Sequence, residues 1–282
     1  MHEQIARALY YVGIHLLYAT VVGGAVWALT SIRGAAATTK YWMWVLAVAN
    51  FVIPVGAFMD RLLAPHLTWA EPLGVVGGAV WTLTQGRTAF VTGTIWLAGA
   101  TLMLARLLAR LWIERREGVA GPAVSGLFRP RIVLPHDIDE ILTPEELHAV
   151  VLHELTHAAR RDNLIRLGYE LTLCLLWFHP IVWLAGWRLA VYRELSCDES
   201  VTERASGQDL ISALAKLAAP ENSPFLHATA AAHIRERLAV LETPRRSRAA
   251  VDLLLVVLFA SITGAGIFGT IAHTACCFVL PH

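Results

Sequence analysis

Residues 164–191 read LIRLGYELTLCLLWFHPIVWLAGWRLAV, and the fold turns on whether this stretch crosses a bilayer once or doubles back. It is apolar and long enough to pass for a transmembrane helix, which needs roughly twenty residues. Upstream lies His153-Glu154-Leu155-Thr156-His157; downstream lies Arg193-Glu194-Leu195-Ser196-Cys197-Asp198-Glu199. A single crossing would leave these two polar flanks on opposite membrane faces. Proline makes the residue before it a poor helix former, so a break is expected at His179-Pro180, with a returning helix that brings both flanks to one side. Trp177, Phe178, Trp183 and Trp187 have amphipathic or bulky rings suited to a lipid boundary and would line a shallowly immersed helical hairpin.

The upstream flank carries metal chemistry. Two imidazoles four residues apart on a helix point the same way, and a glutamate beside the first can reach a water on the metal. The helix is expected over 142–161. Thr143 is its N-cap, Pro144 its first helical residue, and Glu146 closes a capping box three residues after the cap. His148 falls off the shared face and reads as a surface residue.

A zinc peptidase needs a third protein ligand and an open fourth position. The extended metzincin pattern would place glycine at 160 and histidine at 163, but the chain has Arg160 and Asn163. A later helical glutamate is the other common solution. Glu194 and Asp198 share one helix face, so Glu194 is the expected ligand, with Asp198 orienting a histidine or joining the coordination shell. Glu199 and Glu203 remain alternatives; His179, at the turn furthest from the metal, is a weaker one.

Composition agrees with a membrane setting. Of 282 residues, 56% are hydrophobic and only 16% charged, too apolar for an ordinary soluble domain. The formal net charge of +1 gives no electrostatic reason to expect nucleic acid as a direct partner. Cys174, Cys197, Cys276 and Cys277 lack the spacing of a zinc ribbon or a disulfide framework and read as apolar fillers.

Four spans are expected, over about 8–30, 41–59, 89–112 and 253–272. The first is read as an uncleaved span rather than a secretory signal, and Pro54 is expected to kink the second. Residues 73–84 are too short to cross alone; within them, 75–84 repeat 21–30 at every position except Ala28 versus Thr82. Basic residues Arg115, Arg116, Arg245, Arg246 and Arg248 crowd the catalytic ends of the third and fourth spans, which places that region in the cytoplasm. The expected units are a three-span membrane region (1–113), a cytoplasmic zinc metallopeptidase domain (114–249) and a last span with a short tail (250–282). Residues 126–135, GLFRPRIVLP, read as two extended pieces around a turn, and an edge strand there could align a substrate backbone by strand addition.

Taken in order, the 126–135 stretch, the His153 to Asn163 motif, the Trp177-Phe178-His179-Pro180 break and the Glu194/Cys197-Asp198-Glu199 cluster resemble the BlaR/MecR family of integral-membrane zinc metallopeptidases. The resemblance implies a predominantly α membrane protein with a gluzincin-like domain between the third and fourth spans, in a bacterial-type inner membrane. It implies His153, His157 and Glu194 as zinc ligands and Glu154 as catalytic acid/base. Its implied substrate is a BlaI/MecI-like repressor, cleaved in regulated proteolysis. The family's sensors carry a penicillin-binding domain after the last span, whereas this sequence stops at His282 without a Ser-x-x-Lys site, so direct β-lactam binding is not expected.

The expected reaction is peptide hydrolysis with Glu154 as the proton carrier; among nearby oxyanion donors, Tyr192 and Arg193 are not ranked by sequence. The rival reading is a non-catalytic signalling or scaffold protein braced by zinc. Maturation or quality-control proteolysis of membrane proteins would share the chemistry and differ in substrate.

Overall fold

The structure is a computed structural model that describes residues 2–53, 86–117, 121–217, 237–238, 240–242 and 249–279. The expected kink at Pro54, the short apolar segment 73–84 and its repeated decamer lie outside the described residues.

The chain is mostly helical. In order, it forms α1 (His2–Thr30), α2 (Ala37–Val52), α3 (Gly86–Glu117), β1 (Ala123–Ser125), β2 (Arg131–Val133), α4 (Ile138–Ile141), α5 (Pro144–Arg160), α6 (Asp162–Leu175), α7 (Pro180–Thr202), α8 (Gly207–Leu217) and α9 (Ala249–Val279). Among the described residues, Phe90–Arg116 within α3 is long and apolar enough to cross a membrane, while His15–Thr30 and Ala249–Gly264 are shorter apolar helices.

Residues 164–191 do turn back. α6 ends at Leu175, and α7 begins at Pro180 with His179 extended before it (φ −93°, ψ 114°), as the steric demand of the proline ring requires. The turn is held against α3 by two reciprocal tryptophan bonds: Trp96 Nε1 donates to Leu175 O at 3.0 Å and Trp177 Nε1 to Trp96 O at 3.2 Å. Gly99 makes this approach possible, because any Cβ there would collide with the Trp177 indole. Nearer the other end of α3, Arg110 donates to Glu170 (2.5 Å), and Glu114 accepts both Arg166 nitrogens (3.1 and 2.8 Å).

Two apolar cores flank the region where α5 meets α7. One joins α1, α2, α7 and α9 through Val22, Val26, Tyr41, Trp44, Leu189, Tyr192 and Leu255. The other buries the back of α5, Ala149 and Val150, against Ile138, Leu142, Val201, Leu210 and Leu241. His153, three residues beyond Val150 and four beyond Ala149, and His157, one turn further, continue this same inward side of α5 toward α7.

The short antiparallel hairpin pairs Ala123 with Val133 and Ser125 with Arg131, which corrects the expectation for 126–135. Its first strand lies upstream of Gly126, because Gly126 (φ 94°) already belongs to the turn, a left-handed conformation that glycine adopts without steric cost. Asn163 Nδ2 anchors this hairpin to the start of α6 by donating to Val124 O (2.8 Å) and Gly126 O (3.3 Å).

Candidate metal centre

Helix α5 starts as its sequence dictates. Thr143 accepts from the Glu146 backbone N–H, the Glu146 carboxylate accepts from the Thr143 N–H, and Pro144 occupies the first helical turn. This start places His153 and His157 well inside regular helix, their side chains one turn apart and their rings edge to face, with centroids 4.9 Å from each other. At the far end, Arg161 adopts a left-handed conformation (φ 55°, ψ 46°) that ends α5 and starts α6 at once. The bend turns Asp162 back toward His157.

The two Nε2 atoms face one another at 3.2 Å. Glu194, from α7, completes a triangle, with Oε2 3.6 Å from His153 Nε2 and Oε1 3.9 Å from His157 Nε2. Behind the rings stand two more carboxylates. Asp162 Oδ2 lies 2.6 Å from His157 Nδ1, and Asp198 Oδ1 lies 3.2 Å from His153 Nδ1. The latter contact is close enough for charge attraction but off the hydrogen-bond axis, since that buried nitrogen has no well-directed partner.

Electrostatics and geometry both fit a cation between the rings. Carboxylates behind both Nδ1 atoms draw the imidazole protons there, which turns two Nε2 lone pairs toward each other and toward a third anionic group. Burial opposes charging His153, but Asp198 and Glu194 outweigh it and raise its pKa to about 9. Burial likewise disfavours the Glu194 carboxylate, yet His153 and Arg193 hold it well below the usual carboxylate range. Tetrahedral zinc with bonds near 2.0–2.1 Å separates its donors by roughly 3.3 Å, close to the spacing of the two Nε2 atoms.

A second triad, His153, His157 and Cys197, also keeps ligand atoms within 4.8 Å of one another. The chemistry favours Glu194. Cys197 Sγ lies 3.4 Å from Nδ1 of His157, the nitrogen already engaged by Asp162, and so stands behind the ring. Burial also pushes its thiol pKa up, away from the thiolate a metal requires.

Asp198 is fully buried and is held by Arg237, which donates from Nε and Nη2 to its two oxygens at 2.8 Å each. Burial raises the Asp198 pKa, but Arg237 and His153 reverse the sign and hold it low. Arg160 binds α5 to α7, donating to Ser196 Oγ, to Arg193 O (3.2 Å) and to Cys197 Sγ (2.9 Å), and also reaches Asp162 Oδ2 at 2.6 Å.

The structure therefore brings together His153, His157, Glu194 and Asp198, as the sequence suggested. Glu154 follows His153 on α5, half-buried, with no hydrogen bond or ion pair to the described residues. The other acids expected as alternatives lie elsewhere: Glu199 accepts from the backbone N–H groups of Ala37 and Thr38 at the start of α2, and Glu203 caps the end of α7. His179 is bonded to Thr20 at the hairpin turn (2.9 Å). Tyr192 directs its hydroxyl to Thr30 O, away from the metal side, while Arg193 pairs with Glu194 (2.9 Å). Sequence reasoning missed the roles of Asp162, Arg160 and Arg237. The first could have been found from the helix break after His157, but no local pattern marks Arg237.

Residues 106–241 match the family described as BlaR1 peptidase M56. Among curated proteins, the regulatory protein BlaR1 of Bacillus licheniformis is 34% identical over 96 residues, covering 34% of this chain and 16% of that protein. The methicillin resistance mecR1 protein of Staphylococcus aureus is 28% identical over 89 residues, covering 32% of this chain and 15% of that protein. The chain thus aligns with about a sixth of the length of these relatives. No solved structure matches. The ordered His153, His157, Glu194 and Asp198 cluster lies inside the matched region, and residues 106–241 are similar to the M56 peptidase domain of the BlaR/MecR proteins.

Proposed function

We propose that this protein is an integral-membrane zinc endopeptidase in which His153, His157 and Glu194 hold the metal and Glu154 is the catalytic acid/base. The observation that carries the reading is the convergence of two Nε2 atoms and one carboxylate, each histidine backed by a further carboxylate. When bound, zinc supplies Lewis acidity that polarises a scissile carbonyl and acidifies water. Glu154, adjacent to the metal face and uncommitted among the described residues, takes the proton and delivers it to the leaving amine. Asp162 fixes the tautomer of His157, Asp198 faces His153 Nδ1 as a fixed negative charge, and Arg237 keeps Asp198 ionised.

The membrane reading is supported by α3. Phe90, Leu97, Leu102 and Leu108 are 76, 60, 64 and 57% exposed, an apolar surface that water disfavours and lipid accepts. In this reading the chain has four spans, with the peptidase domain of residues 114–249 facing the cytoplasm. The hairpin tip lies against Trp96, well along α3, so the hairpin reaches deeper than a shallow dip. The substrate is a protein, and the relatives' names, a regulatory protein and a resistance protein, favour regulated proteolysis, such as inactivation of a BlaI/MecI-like repressor.

The test is Glu154→Gln, compared with wild type for zinc content and for protein fragments in cells. Glu154→Gln should retain zinc and lose the fragments. Identical fragments from both would reject catalysis by Glu154, and zinc without fragments from either would favour a zinc-braced scaffold.

A further inference from the structure

We infer that Tyr41, on α2 and outside the matched peptidase region, is a positioning residue of the metal centre, acting through Asp162 on His157. This rests on the zinc reading above. Tyr41 is 1% exposed, and its hydroxyl donates to Asp162 Oδ1 at 2.8 Å across 121 residues of sequence. The other oxygen of Asp162 takes His157 Nδ1 and Arg160 Nη2, both at 2.6 Å. With three donors on two oxygens, the carboxylate cannot swing without breaking one of them. The phenol thus sets the angle from which Asp162 meets the imidazole and so the direction of the His157 Nε2 lone pair.

The aromatic ring has its own part. The Arg160 guanidinium sits over it, 4.6 Å from the centroid, so Tyr41 orders two of the groups around Asp162: its own hydroxyl and the arginine that shares Oδ2. α2 is in turn fixed to the helix that carries Glu194 and Asp198. Glu199 Oε2 and Oε1 accept the Ala37 N–H at 2.8 and 2.9 Å, and Oε2 also takes the Thr38 N–H at 3.4 Å. One helix of the N-terminal region therefore braces both ligand-bearing helices, α5 through Asp162 and α7 through Glu199. A peptidase domain folded around its own residues alone would need no such contact, and metal affinity becomes dependent on where α2 sits.

The experiment measures zinc dissociation constants for the purified full chain in detergent by competition with a chromophoric chelator. Tyr41→Phe keeps the ring and removes only the hydroxyl; Tyr18→Phe is the control, removing a hydroxyl that donates to Thr263 O between α1 and α9. Removing an outer-shell partner typically weakens metal binding about tenfold or more. Tyr41→Phe should show a loss of roughly tenfold and Tyr18→Phe less than twofold. In an Asp162→Ala background Tyr41→Phe should have no further effect, because the route runs through that carboxylate. An unchanged constant in Tyr41→Phe, even with a lowered metal-free melting temperature, would make Tyr41 a packing residue and overturn the inference. So would an equal loss in both backgrounds. A wild type that binds no zinc would overturn the metal reading and this inference with it.

Discussion

Arg237 holds both oxygens of Asp198, a carboxylate with no exposed surface, which in turn backs the imidazole of His153. The positive charge that keeps this buried acid ionised comes from a residue 39 positions further along the chain. Arg237 Nη1 also lies 3.7 Å from Glu194 Oε2, so one guanidinium faces both the acid behind His153 and the proposed third ligand.

Arg237→Met should therefore cost about 3 kcal/mol or more, because it strands a buried charge. It should also weaken zinc binding. Pairing it with Asp198→Asn should recover much of the stability and little of the affinity, since the amide needs no counter-charge but orients His153 poorly. Chemical denaturation and chelator competition on the same samples separate the two effects; a single variant as stable as wild type would show that Asp198 is held by other means.

Acid should loosen the contact between α5 and α8. Glu146, besides closing the α5 capping box, accepts from Lys216 Nζ (2.7 Å) and Ser212 Oγ (2.5 Å) on α8. Lys216, then Ser212 and the Thr143 N–H, lower its pKa from 4.5 to about 2. A depressed folded-state pKa adds stability that is fully present above the unfolded value and drains away as pH falls through the folded one. The loss should fall between about pH 4.5 and 2. Lys216→Met should flatten the stability profile in that window relative to wild type, and two parallel profiles would remove the Lys216–Glu146 bond from the account.

The left-handed Arg161 joins α5 to α6 at the cost of steric crowding at its Cβ. Arg161→Gly should be neutral or stabilising by up to ~1 kcal/mol, whereas the β-branched Arg161→Val should be destabilising and weaken zinc binding by moving Asp162. Thermal unfolding of both variants checks this. A valine variant as stable as the glycine variant would mean that the bend is not strained.

The parts of this protein that were legible in sequence are those set by local rules. Thr143, Pro144 and Glu146 start α5 within one turn of chain; Pro180 holds His179 extended and starts α7; Glu194 and Asp198 share a face because they are four residues apart. The hairpin register was misplaced because Gly126 looked like the opening of a strand and instead begins the turn. Asp162, Tyr41 and Arg237 were out of reach for a different reason. Their roles depend on tertiary closure, with Tyr41 meeting Asp162 from 121 residues away, and neither a tyrosine early in an apolar stretch nor an arginine far downstream carries a local sign of such a partner.

The most direct measurement is zinc stoichiometry and affinity in purified wild type, Glu194→Ala and Cys197→Ala. Wild type and Cys197→Ala should each hold one zinc per chain, and Glu194→Ala should lose tight binding. Zinc retained by Glu194→Ala and lost from Cys197→Ala would contradict this, placing the third ligand behind the His157 ring instead of in front of the Nε2 pair.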